Sequence, residues 1–222
     1  MLKIYNKKII EEYVFKYNIN DIFTEDMTPF MELLLFKKDE YICRVNDKLN
    51  YFFFFVDGKA KVYSTLSNGK SLLLCFYQGF MVLGDLEMIN SEPATTNVQV
   101  IEDTYCIGIS KEKVETYLLG DAKFLRYICN SLSEKLNRCS KNSSINLLYP
   151  LENRIASYML ATGENRDESL TEISELLGTS YRHLLRTLNN MCQKGLIKRN
   201  DTGFEIIDRK VLIKLASDLY IN

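Results

Sequence analysis

The chain has 222 residues, enough for one large or two smaller domains, and 46% of them are hydrophobic. Its 28 basic and 29 acidic residues leave a net charge of −1, which excludes a generic polycation, and the lack of any low-complexity run excludes long disorder. The six scattered cysteines include no C-x-x-C pair, a poor spacing for zinc or an iron–sulfur cluster, so no metal or cofactor and free thiols are expected.

The opening segment, MLKIYNKKIIEEY, interleaves charges with its apolar residues, unlike a secretory signal. No apolar run approaches the roughly 18 residues that a spanning helix needs. A cytoplasmic chain without a membrane partner is expected. Residues 1 to about 35 carry Ile9/Ile10, Tyr13/Val14 and Tyr17 at helical spacing. Pro29 then predicts the start of another short helix, PFMELLLF. From Phe36 to Ile109 the pattern changes to period two and short apolar runs: YFFFFV, KAKVYSTL, SLLLCFY, NVQVI and TYCIGI. Between them Asp57-Gly58 and Asn68-Gly69 are strong hairpin signals, with further turns at Gln78-Gly79 and Gly84-Asp85. Many short strands at this spacing predict a small antiparallel barrel or sandwich, filled mostly by its own side chains, with the aromatic run 51–55 in its core.

From Lys111 the signal is helical again. Phe124, Leu125, Ile128, Leu132, Leu136 and Cys139 recur every three or four residues. A seam of that length usually finds another helix, here expected to be a second copy of the chain. The alternative is a helix packed only on its own β domain. Asn142-Ser143-Ser144 reads as a hinge. Pro150 starts the next helix, LENRIASYMLAT, which ends near Gly163. The expected division is 1–120 for the N-terminal helices and β domain, 121–144 for the long helix and 145–222 for the remainder.

The stretch 170–191, LTEISELLGTSYRHLLRTLNNM, reads as two amphipathic helices around a tight turn. Leu170, Ile173, Leu176 and Leu177 give the first an apolar stripe, and Gly178 supplies the left-handed residue that ends it. Thr179 and Ser180 offer hydroxyls as N-caps for the second. On that helix Leu184, Leu185 and Leu188 repeat, while Tyr181, Arg182, His183, Arg186, Asn189 and Asn190 occupy the other face. A polar, cationic second helix is the element that enters a DNA major groove. No acidic residue stands between Glu175 and Asp201, whereas Arg182, Arg186, Lys194, Lys198 and Arg199 are basic. That is the electrostatic footprint of phosphate binding. The following KGLIKRNDTGFEII predicts a hairpin with its turn at 200–203, completing a winged helix. From Tyr149 onward ten basic residues meet ten acidic ones, so double-stranded DNA must be held by this local pattern.

The order of these parts resembles the Crp/Fnr family of bacterial transcription regulators over essentially the whole chain, and within it the YeiL-type branch. The residues that carry the resemblance are DGKAKVY, FMVLGDLEMI, VQVIEDTYCIGI, FLRYICNSLS, PLENRIASYML and LTEISELLGTSYRHLLRTLNNMCQKGLI. It implies an α+β fold: a cyclic-nucleotide-binding-like β-roll (jelly-roll), a long dimerisation helix and a C-terminal winged helix-turn-helix. It also implies a homodimer on a palindromic operator, with RNA polymerase as a further partner. The family's base-reading positions fall on Tyr181, Arg182 and Arg186. Arg182 stands where the family often has glutamate, and two guanidinium groups favour guanine O6/N7 or phosphate. Thr179, Ser180, His183, Lys198 and Arg199 are the remaining expected DNA contacts, Ser180 as the phosphate-binding N-cap.

The effector region departs from the family. Its cyclic-nucleotide binders have Gly-Glu after the barrel turn and, about ten residues on, an arginine on the cyclic phosphate. Here the first is Gly84-Asp85, and no arginine or lysine occurs from Asp85 to Ile109. A buried phosphate without a cation is costly, so Gly84, Asp85, Leu86, Thr95 and Thr96 form a degenerate site and no cyclic nucleotide is expected. The N-terminal cysteine cluster of Fnr-type oxygen sensors is missing. A small apolar or aromatic ligand in the β domain, redox chemistry at Cys139 and Cys129, or no effector at all remain open. A ligand- or redox-sensing module without specific DNA recognition is the competing class. An enzyme is not expected, because the β domain shows no nucleophile–base pairing, phosphate loop or metal-ligand spacing.

Overall fold

Short apolar runs broken by turn residues build the N-terminal half, and two sheets result. The computed structural model describes residues 1–163, 168–200 and 203–216. In chain order come β1 (Leu2–Ile4), α1 (Lys7–Lys16), two 3₁₀ turns (Ile19–Ile22 and Thr28–Phe30), β2 (Met31–Phe36), β3 (Tyr41–Cys43), β4 (Tyr51–Asp57), β5 (Lys59–Thr65), β6 (Ser71–Gln78) and β7 (Met81–Leu83). A short helix α2 (Asp85–Asn90) precedes β8 (Asn97–Val100) and β9 (Thr104–Ser110). One sheet has the order β1-β2-β9-β4-β7 and the other β3-β8-β5-β6. This is the expected β-roll.

Of the expected helix PFMELLLF only Pro29 and Phe30 are helical, in the second 3₁₀ turn, and Met31–Phe36 is a strand instead. β2 pairs antiparallel with β9 from Met31↔Ile109 to Phe36↔Thr104. A continuous apolar run has no period to separate a buried strand from a buried helix. Here both faces of Leu33–Leu35 are covered, which is why the run shows no alternation. The N-terminal segment is likewise only partly helical, since β1 precedes α1. The aromatic run 51–55 lies in the core as expected, with Phe52, Phe53, Phe54 and Phe55 all buried. The Phe52 and Phe54 rings meet edge-on at 5.0 Å.

After a helical turn α3 (Lys111–Lys113) and a π turn (Val114–Leu118), α4 runs unbroken from Ala122 to Leu148. Asp121 starts it by accepting from the backbone N–H of Lys123 at 2.8 Å. The hinge expected at Asn142-Ser143-Ser144 is therefore absent. The Ser143 and Ser144 hydroxyls donate back to the Cys139 and Ser140 carbonyls at 2.9 and 3.2 Å, inside the helix. Asn142 is buried and donates to the Leu74 carbonyl at 2.6 Å. A specific buried hydrogen bond outweighs the weak helix propensity of three such residues.

The remainder is α5 (Leu151–Thr162), α6 (Leu170–Leu176), α7 (Tyr181–Gln193), the two-stranded β10 (Ile197–Asn200) and β11 (Gly203–Ile206), and α8 (Arg209–Ala216). The turn expected at 200–203 passes through residues 201 and 202, which lie outside the described ones. Two compact units result: Met1–Val62 with Tyr77–Arg138, and Tyr63–Phe76 with Cys139–Asn222. Among the described residues no helix is long and apolar enough to cross a membrane.

Candidate nucleic-acid interface and effector-type site

Local hydrogen bonds fix the helix-turn-helix residue by residue. Ser169 caps α6, accepting from the Glu172 N–H at 3.2 Å, while Glu172 accepts from the Ser169 N–H at 2.7 Å. This capping box was legible as S-x-x-E and was not among the expected site residues. At the other end Gly178 takes φ +60°, and the Thr179 and Gly178 N–H groups donate to the Ser174 and Glu175 carbonyls, both at 2.9 Å. These two bonds close the helix as a Schellman motif, which requires the left-handed residue. Arg154 of α5 adds a third tie, donating to the Leu177 carbonyl at 2.6 Å.

Ser180 then caps α7, its hydroxyl accepting from the His183 N–H at 3.2 Å. Thr179 Oγ1 sits 3.3 Å from His183 Nδ1 and steadies the ring. Leu184, Leu188 and Met191 are buried beneath the helix, while Tyr181, Arg182, His183, Arg186, Asn189 and Asn190 are exposed. The face expected to be polar is thus the face turned to solvent. Among the described residues, neither Arg182 nor Arg186 has an ion-pair partner.

The wing brings a second set of cations. β10 and β11 pair with Lys198 opposite Glu205 and Arg199 opposite Phe204. Lys198 Nζ is 4.0 Å from the Glu205 carboxylate and largely exposed, a pair that screening makes worth little. Lys194 differs. Its ammonium bonds both carboxylate oxygens of Glu152 at 2.8 and 2.9 Å, so it contributes less to the field than its sequence position implies.

In the β-roll the five effector-type residues differ in exposure. Gly84 (φ +88°) turns the chain into α2, and a Cβ there would lie 3.0 Å from the Tyr51 carbonyl oxygen. Asp85 is only 3% exposed. Leu86 and Thr95 are exposed and Thr96 is half-buried. The cation that residues 85–109 lack arrives from elsewhere: Lys135 of α4 bonds Asp85 Oδ1 and Oδ2 at 2.8 and 2.7 Å. Nearby, burial and the Asp85 charge push the half-buried Glu87 carboxyl above the usual carboxylate range.

The seam expected on α4 divides. Phe124 and Ile128 are each 1% exposed, and Phe124 stacks on Phe23 with ring centroids 5.9 Å apart. Those two belong to the β-roll core and leave the expected pairing face. Leu125 and Leu132 are half-buried, whereas Leu136, 71% exposed, and Cys139 lie open. Cys129 is exposed as well. Cys43, Cys75 and Cys106 are buried, and desolvation pushes the Cys43 thiol up to about 12.

Residues 33–121 match the cyclic nucleotide-binding domain and residues 153–215 the Crp-like helix-turn-helix domain. The chain is 32% identical over 201 residues to the regulatory protein YeiL of Escherichia coli O157:H7, covering 90% of this chain and 92% of that one. A crystal structure of a putative Crp/Fnr-family transcriptional regulator from Eubacterium rectale superposes with a TM-score of 0.74 at 18% identity, covering 86% of this chain and 91% of that one. A CRP-family transcriptional regulator from Thermus thermophilus gives 0.65 at 16% identity, over 84% and 98%. These two likenesses concern the fold alone.

Proposed function

Because this chain belongs to the Crp/Fnr family of transcription regulators, we propose that it binds a palindromic DNA site as a homodimer through α7 and the β10–β11 wing. The observation that carries this is the pair Arg182 and Arg186, exposed one turn apart on a capped helix, with no ion-pair partner among the described residues. Guanidinium groups presented in this way select guanine O6/N7 through two parallel hydrogen bonds. Lys198, Arg199 and the α7 N-terminus at Ser180 grip phosphates. The second copy pairs along Leu125, Leu132, Leu136 and Cys139. RNA polymerase is the partner such a DNA-bound dimer serves, in the cytoplasm. No small-molecule cofactor takes part, and a cyclic nucleotide is not the effector, since residues 85–109 offer its phosphate no cation and the Lys135 ammonium is committed to Asp85 and Val82.

Titrating a DNA duplex at several salt concentrations tests the reading. Affinity falls steeply as salt rises, as counterion release from several phosphates demands. A salt-independent or absent affinity contradicts it and favours a sensing module that does not recognise DNA.

A further inference from the structure

Helix α4 is attached to the β-roll in two chemically different ways. Its first two turns are anchored by apolar burial, Phe124 against Phe23 and edge-on to Phe52 at 5.4 Å, with Ile128 buried beside them. Farther along the same inward stripe the anchors are polar. Lys135 is four-fifths buried, and its ammonium has three donors. Two bond the Asp85 carboxylate and the third bonds the Val82 carbonyl at 2.9 Å. The next inward residue, Arg138, makes only a 3.6 Å contact to the Met81 sulfur and a 5.9 Å approach to the Tyr77 ring. The Lys135 cluster is thus the strong tie of this part of the helix. It joins residues 50 positions apart in sequence, on the turn where the β-roll's effector-type residues Gly84 and Asp85 sit.

Leu132 and Leu136 lie to one side of Lys135, roughly 60° and 100° around the helix at 3.6 residues per turn, Leu132 half-buried and Leu136 openly exposed. Whatever fixes Lys135 therefore also fixes the direction in which the outward stripe faces. We propose that Lys135 is a positioning residue acting as a built-in substitute for a bound effector. It clamps α4 to the Val82–Asp85 turn and so presents Leu132 and Leu136 for pairing with no small molecule in the β-roll. The clamp itself is independent of the DNA-binding reading, whereas its consequence for pairing rests on it. Removing one member of a buried ion pair leaves an uncompensated charge, while removing both leaves none.

Hydrogen exchange of amides 129–138 and sedimentation of the full chain test this in Lys135→Met, Asp85→Asn, the double variant and Lys135→Arg. Either single neutralisation accelerates exchange roughly 100-fold and weakens the dimer. The double variant recovers most of the protection, and Lys135→Arg keeps both properties. A merely space-filling Lys135 predicts instead that Lys135→Met exchanges like the parent or that the double variant is the sum of the singles, and either result overturns the clamp. Cyclic AMP or cyclic GMP leaves the melting temperature of the parent chain unchanged; a rise with either shows Asp85 open to ligand and overturns it too. A parent that is monomeric throughout removes the pairing consequence. A dimer with the full exchange pattern that never binds DNA keeps the clamp and removes the regulator reading.

Discussion

Arg186 and Lys135 are both cations on helices, and the fold treats them oppositely. On α7 the guanidinium groups of Arg182 and Arg186 are left at the surface with no ion-pair partner among the described residues. In the β-roll, the Asp85 carboxylate at the effector-type turn is buried and paired with Lys135. Charge held without a partner is available to an outside ligand, and charge already paired is not. The proposed recognition thus falls on the helix-turn-helix, while α4 supplies the counter-ion of Asp85 in the β-roll.

The sharpest way to break the comparison is at the two stripes of α4. Phe124→Ala opens a cavity among Phe23 and Phe52 and costs about 3–5 kcal/mol of stability, read from denaturant unfolding. Leu136→Asn leaves the protomer's stability within about 0.5 kcal/mol and weakens self-association instead. If Phe124→Ala barely moves stability but splits the dimer, the seam runs along the inner stripe as the spacing alone suggested. Next in size, Arg182→Ala or Arg186→Ala costs about 1–3 kcal/mol of DNA affinity and relaxes preference at one base pair, measured by competition with point-substituted duplexes. Ser180→Ala removes the α7 cap and costs about 1 kcal/mol in stability, with Ser180→Gly milder. Smallest is Lys198→Ala. It weakens all sequences alike and lowers the salt slope by about one, because Glu205 holds Lys198 only loosely.

The two regions also differed in how much the sequence disclosed. The recognition unit was legible because its signals are local: Gly178 ends one helix, Ser180 caps the next, and Leu184 and Leu188 mark its buried side within a few turns. The same local logic misread MELLLF as a helix, since burial on both faces erases the period that separates helix from strand. It also read a hinge at Asn142, whose buried bond to Leu74 is set by tertiary contact. The neutralisation of Asp85 was invisible for a related reason. Residues 85–109 contain no cation, and nothing in the local pattern ties them to Lys135. The expected seam joins two faces, because six positions at spacing three and four cover more than one face of a helix, and only packing separates Phe124 and Ile128 from Leu132 and Leu136.

The most direct test of the central claim is selection from random double-stranded DNA by the purified, reduced chain with nothing else added. The account predicts enrichment of a two-fold palindrome whose half-sites carry guanine, with the Arg182→Ala and Arg186→Ala variants losing that preference. Enrichment only after a cyclic nucleotide is supplied, or none at low salt, contradicts it.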